Sequence, residues 1–426
     1  MKRWRTERFA VTLVALLLGS VAFVQLSVAR AEAPPLVART LSPQKLAGIG
    51  DFFKNEVATG KIPGAVALVQ QHGRPVYFET IGKRDVANPM TKDTIFRLYS
   101  MSKPITSVAA TMLVEDGKLK LDDPVAKYIP AFADAKVGVY VKAGDEHATS
   151  AFVPLRRPIT IADLLRHTSG ITYGFYGDDP ARRRYAQLDL FDHDFDNAEL
   201  ANRIAHVPLA EQPGTLWDYG HSTDVLGRVI EVISGQTLYQ FEKSRLFDPL
   251  GMIDTSFYVT DEAKRSRIAE PLPGDRMLGP VIGMHDPLHV RRWEAGGSGL
   301  VGTITDYARF AQMLLNGGTF EGRRYLSATT VALMTSDHVG PDSGVKRDYY
   351  YFPGDGSGFG LGFAVRTREL ASEPGPIGEY RWDGVAGTFF WIDPKDDMFV
   401  IVMTQSPSQR VRMEIDVRRL VYGAFE

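Results

Sequence analysis

The chain has 426 residues, with 49 Lys and Arg against 51 Asp and Glu, and 44% of it is apolar, the composition of an ordinary globular protein. Its charges are balanced and interspersed, so there is no basic footprint for nucleic acid. Without a single cysteine, a disulfide framework, a thiolate zinc site and a cysteine nucleophile are all excluded.

At the start, Lys2, Arg3, Arg5 and Arg8 precede an apolar run over residues 9–24, and Ala29-Arg30-Ala31 offers a small-x-small cleavage site. This is the layout of a secretory signal peptide over residues 1–31, which would send residues 32–426 to the periplasm or the medium. The alternative is an uncleaved inner-membrane anchor over residues 9–28. Removing residues 1–31 takes away five basic residues and one acidic one and leaves a formal charge of −6. No later run is apolar for long enough to span a bilayer. The charge also gives no reason to expect stable membrane association once the signal is cleaved.

The first predicted element is a helix over 44–58, with Leu46, Ile49, Phe52, Phe53 and Val57 at helical spacing and Gly60 as its stop. Residues 65–70 and 76–81 read as a hairpin around His72-Gly73. Residues 100–115 read as a buried helix, apolar on most faces and closed by Gly117. From 119 to 291 the pattern is short helices and proline-rich loops. Examples are 161–166 and 224–233, the latter with Ser222 as N-cap and Gly235 as stop. A helix at 306–315 would be capped by Thr305 and ended by Asn316-Gly317-Gly318. Strands follow at 361–365, 379–383, 388–392 and 398–404, the last two joined by a turn-rich loop at 393–397, and a helix at 409–421 ends the chain.

Strands, then helices, then strands, then a helix is the order of an antiparallel sheet covered by helices, an α+β arrangement, with a helical lobe inserted into it. The sheet lobe would take residues 45–117 and 292–426 and the helical lobe 118–291, with the cleft between them.

Three stretches carry chemistry. In Ser100-Met101-Ser102-Lys103, positions i and i+3 share one helix face, so the hydroxyl and the amine can meet. Pro104 is tolerated only in a first turn, which starts the helix near Ser100 and puts its hydroxyl at the positive end of the dipole. A serine alcohol needs an adjacent base, and burial can lower a lysine enough to serve. The second stretch is Pro213-Gly214-Thr215-Leu216-Trp217-Asp218-Tyr219-Gly220-His221-Ser222. Tyr219 either joins that proton network, where a nearby ammonium would favour phenolate, or packs in the core. His221 is a further candidate in the same run. In the third, Trp382-Asp383-Gly384-Val385-Ala386-Gly387-Thr388, glycines at a strand end would let a ligand approach the backbone. A backbone N–H there could be a second donor to a developing oxyanion. Trp382 is either a substrate contact or ordinary packing.

In order and separation these stretches resemble the β-lactamase-related serine hydrolases: class C β-lactamases, D-alanyl-D-alanine carboxypeptidases and, most closely, family VIII carboxylesterases. Residues 45–425 carry the resemblance. Further phrases are Leu164-Leu165-Arg166-His167-Thr168-Ser169-Gly170, Gly296-Gly297-Ser298-Gly299-Leu300 before Asp306-Tyr307, and Ile392-Asp393-Pro394. The resemblance implies a β-lactamase/transpeptidase-like fold, Ser100 as acylated nucleophile, Lys103 as its base and Tyr219 in general acid/base duty. It also implies an oxyanion hole from the N–H groups of Ser100 and Val385, and no cofactor. Two departures stand out. His221 replaces the asparagine of Tyr-x-Asn, and Trp382-Asp383-Gly384 replaces Lys-Thr-Gly. Loss of that lysine cation points away from acidic substrates and toward small neutral acyl esters.

The expectation is therefore an exported carboxylesterase acting on small-molecule esters. The alternatives are a β-lactamase or D-Ala-D-Ala carboxypeptidase, an acyltransferase, and a non-catalytic peptidoglycan-binding homologue. An α/β-hydrolase elbow fails because Asp224 ends Gly220-His221-Ser222-Thr223 and Leu300 follows Gly297-Ser298-Gly299. No metal site is expected. Pro287 breaks the helix that would align His285 with His289, and Asn197 stands where a calcium loop built on Asp192, Asp194 and Asp196 needs glycine.

Overall fold

A computed structural model describes residues 39–143, 147–191, 194–276 and 284–426; the signal segment and Asp192 lie outside them. Helices of eight residues or more are α1 (Pro43–Ala58), α2 (Ser102–Glu115), α3 (Pro180–Leu188), α4 (Asn197–Ala205), α5 (Ser222–Ser234), α6 (Ile304–Leu315) and α7 (Arg410–Tyr422). The principal strands are β1 (Gly64–Gln71), β2 (Arg74–Gly82), β3 (Lys136–Ala143), β4 (His147–Pro154), β5 (Ser357–Phe359), β6 (Ala364–Arg366), β7 (Tyr380–Asp383), β8 (Phe389–Asp393) and β9 (Met398–Met403).

The main sheet is antiparallel and runs β2-β1-β9-β8-β7-β6-β5, so strands from both ends of the chain pair at its centre, with Val66 opposite Met403 and Gln71 opposite Met398. Period-two alternation divides its apolar residues between two cores. Ala65, Ala67, Val69, Trp391, Val400 and Val402 pack with Leu46, Ile49 and Phe53 of α1 and Met413, Val417 and Val421 of α7. Val66, Leu68, Phe390, Phe399, Ile401 and Met403 face the other way, toward Ile105 and Val108 of α2 and Tyr307 and Phe310 of α6. Each of the larger side chains, fully buried, contributes about 1.5–3 kcal/mol, which fixes the register of the central strands. Residues 39–426 form one compact unit.

Several boundaries differ from those expected. The segment around Ser100 opens with a 3-10 turn, Tyr99–Met101, and the α-helix starts at Ser102. Ser222 is the first residue of α5, not its cap; His221 holds the cap position, and the Ser222 hydroxyl pairs with Ser169 at 2.8 Å. In α6 the cap is Thr303, whose oxygen accepts from Asp306 N–H, while Thr305 is the helix's second residue. The strand expected at 361–365 is β6, displaced to 364–366, with β5 ahead of it. The region expected to be helical and looped also holds the β3–β4 hairpin, which joins the rest through Val137 beside Leu209. No helix among the described residues is long and apolar enough to cross a membrane.

Candidate active site

Tyr99, immediately before Ser100, has φ +46°, a left-handed conformation that costs a non-glycine residue on the order of 1 kcal/mol. It is held from both sides. Leu98 N–H donates to Leu300 O (2.9 Å), and the Tyr99 hydroxyl accepts from His285 N–H (3.1 Å). This bend turns Ser100 out at the start of α2, a helix buried from Ser102 to Leu113.

Lys103 is on that helix with 1% of its surface exposed. Its Nζ lies 3.1 Å from Ser100 Oγ, donates to Gly297 O at 2.7 Å and reaches the Tyr173 hydroxyl at 3.4 Å. Burial brings the amine from 10.5 down to about 7, against the opposing pull of the Asp224 and Asp383 charges. A substantial share of it is therefore uncharged at neutral pH and able to take a proton.

Tyr219 donates to Ser100 Oγ at 2.7 Å, and Lys103 Nζ sits 4.4 Å from the centre of its ring. Burial pushes this phenol well above its ordinary value of 10. The phenolate expected from the neighbouring ammonium is thus not favoured, because desolvation outweighs the attraction. Tyr219 is a proton donor at neutral pH, and Lys103 is the group poised to accept.

The floor beneath the amine is built by two residues that sequence reasoning gave no catalytic part and by one that it ranked low. Asp224 accepts from Gly297 N–H (3.0 Å) and pairs with His221 Nδ1 (2.9 Å), which fixes Gly297, the residue whose carbonyl holds Lys103. His221 therefore touches the carboxylate below the amine, and its ring meets Tyr173 edge-on at 4.6 Å. Tyr173 carried no local signal, since it sits in a loop where only the folded chain brings it to Lys103. His167 (φ +56°) packs against Tyr219 and Trp217, and burial together with the Lys103 charge keeps its imidazole neutral.

The third stretch closes the site. Thr388 Oγ1 donates to Leu98 O (3.3 Å), which pins the start of β8 against the segment that leads into Ser100. Gly384 is glycine for that approach: a Cβ there would stand 2.3 Å from Leu98 O and 2.3 Å from Thr388 Oγ1. Its close neighbour is thus the chain itself and not a ligand, and its N–H is spent on Thr388 O (2.7 Å). Among the described residues, the N–H of Val385 has no protein acceptor, and its side chain packs beside Tyr99. Trp382 is buried against Tyr219 (ring centres 5.5 Å) and Phe359 (5.3 Å), so it packs behind the phenol.

The residues considered for metals serve other ends. Asp196 caps α4, Asp194 accepts from Arg292 N–H, and half-buried His285 packs edge-on against Tyr99. Among the described residues no cluster of His, Asp or Glu could hold a metal ion.

The model of the family described as Beta-lactamase matches residues 49–423. The chain belongs to the β-lactamase family. As a member it is an enzyme of the serine-hydrolase class. The Mycobacterium tuberculosis protein Rv1367c is 38% identical, covering 81% of this chain and 86% of that one. Lovastatin esterase of Penicillium rubens is 35% identical over 68% of this chain and 73% of its own length, and esterase EstB of Burkholderia gladioli 29% over 87% and 93%. Among solved structures, EstCE1, described as a hydrolase with promiscuous acyltransferase activity, superposes with a TM-score of 0.74 at 29% identity, covering 89% of this chain and 99% of its own.

Proposed function

We propose that this chain is an exported carboxylesterase that cleaves small neutral acyl esters through an acyl-enzyme on Ser100. The observation that carries the reading is a single hydroxyl held at once by an amine brought to about 7 (3.1 Å) and by a protonated phenol (2.7 Å). Lys103 takes the Ser100 proton as Oγ attacks the ester carbonyl. The N–H groups of Ser100 and Val385 receive the oxyanion, where the loss of one donor costs about 2.7–4 kcal/mol. Tyr219 hands a proton to the departing alcohol, and water then releases the acid by the reverse transfers.

Trp382, standing where relatives with Lys-Thr-Gly carry a cation, supports neutral esters over β-lactams and acidic peptides. Export rests on the signal-peptide layout of residues 1–31, and N-terminal sequencing of the secreted protein should begin at Glu32. The functional test is a panel of short-chain esters, a cephalosporin and a D-Ala-D-Ala peptide, run on wild type and Ser100→Ala. Ester turnover abolished by the substitution is the expected result. Turnover that survives it, or a preference for the cephalosporin or the peptide, overturns the reading. Acyl transfer is a second reading, favoured by the likeness to EstCE1. Adding an alcohol and measuring ester formation against acid release separates the two.

A further inference from the structure

Large apolar side chains in water are informative where they adjoin a reactive group. Phe175 (39% exposed) and Phe352 (50% exposed) both do so, from different segments of the chain. Phe175 lies almost parallel over Tyr173, with ring centres 4.7 Å apart and planes 20° apart, and the Tyr173 hydroxyl is the one Lys103 Nζ reaches. Phe352 meets the Tyr219 ring edge-on, 5.4 Å between centres and 83° between planes. Tyr176 stands between the two, 5.5 Å from Phe175 and 5.6 Å from Phe352, with its hydroxyl tied to buried Asp218. Two half-exposed rings thus pack on the two tyrosines whose hydroxyls meet Ser100 and Lys103. The nearby guanidinium, Arg182, is buried and paired with Asp218 and Asp179, so it adds no free charge to the wall between the rings.

The side of the substrate that meets this wall follows from the proton path, and in this it rests on the esterase reading above. When the bond between the acyl carbon and the alcohol oxygen breaks, Ser100 Oγ has become bonded to the acyl carbon, and the departing oxygen must collect a proton. Tyr219 donates to Oγ, whereas Lys103 is sunk beneath and anchored on Gly297 O. The alcohol oxygen therefore leaves past Tyr219, on the side of Phe352 and Phe175.

We infer that Phe175 and Phe352 form a recognition site for a planar apolar group on the alcohol half of the ester. In deacylation the same wall holds an incoming ring-bearing alcohol, whose proton returns to Ser100 Oγ as its oxygen takes the acyl group.

The test uses three esters whose alcohols are ordinary alkanols, so that leaving-group acidity stays nearly level: 2-naphthylmethyl acetate, ethyl acetate, and ethyl 2-naphthylacetate with the ring on the acyl half. Wild type should prefer 2-naphthylmethyl acetate to ethyl acetate in kcat/KM. In Phe175→Ala and Phe352→Ala that ratio should fall about tenfold, the scale of one lost aromatic pairing, chiefly through KM. A ratio unchanged in both variants assigns the rings to packing and overturns the inference. A loss confined to ethyl 2-naphthylacetate places the wall on the acyl half and overturns it as well. Neither of these results touches the esterase reading, which fails separately if wild type turns over none of the three.

Discussion

In the proposed mechanism Lys103 is a buried amine that costs stability in order to act as a base, and replacing it with Met separates the two effects. In the native protein the amine titrates at about 7 and in the unfolded chain at about 10.5. Below pH 7 it is protonated in both states, and the native state bears the whole penalty, about 5 kcal/mol for a shift of this size. Between 7 and 10.5 the unfolded chain binds the extra proton, so this penalty shrinks as pH rises and is gone above 10.5. At pH 6 it is still about 5 kcal/mol and at pH 9 about 2 kcal/mol. Lys103→Met removes the penalty but leaves Gly297 O without a donor, a loss of about 1 kcal/mol that does not vary with pH. Urea titrations of both proteins should therefore show Lys103→Met more stable than wild type, with the difference narrowing by about 3 kcal/mol from pH 6 to pH 9. In parallel, wild-type kcat/KM should rise with pH through about 7. A stability difference that does not change with pH would show that the amine titrates normally and that it is no base at neutral pH.

Tyr219→Phe should leave the melting temperature nearly unchanged and lower kcat by about 10²–10⁴, since the phenol's part is proton delivery; kcat within a factor of two of wild type would remove it from the mechanism. Asp163, fully buried beneath Arg157, Arg166 and Thr168, has its carboxyl held at about 2 by those partners. Its stabilisation is present above the ordinary 3.8 and lost as pH falls through about 2. Asp163→Asn should thus cost about 2 kcal/mol at pH 7 in denaturant titrations, less near pH 2.5; an equal cost at both would contradict the ion pairing. Gly384→Ala should push β7 off Leu98 O, lowering kcat more than tenfold together with the melting temperature. A fully active, stable variant would show that this approach is not needed.

The chemistry-bearing residues were legible where their signal was local. Ser100 and Lys103 stand one helical turn apart before Pro104, and the unbroken apolar run of 398–403 marked a strand buried on both faces, which the fold pairs with the N-terminal hairpin. What lay beyond reach was set by tertiary context. Tyr173 and Asp224 approach Lys103 only through the fold, and nothing in their neighbours signals it. The direction of the Tyr219 shift depended on burial, which a motif does not report. The β3 strand did carry a local signal, since Val137, Val139 and Val141 alternate with Lys136, Gly138 and Lys142, but it is set among the short helices and proline-rich loops of the inserted region. Gly384 was recognised as a site of close approach, but the approaching group is Leu98 and not a ligand.

The most direct measurement is covalent: treat the folded protein with a fluorophosphonate across pH 5–9 and locate the adduct by mass spectrometry. One adduct on Ser100 is expected, formed at a rate that rises through about pH 7 in wild type and is lost in Lys103→Met. No adduct, an adduct on another serine, or labelling of Ser100 as fast without the amine as with it would contradict a nucleophile activated by Lys103.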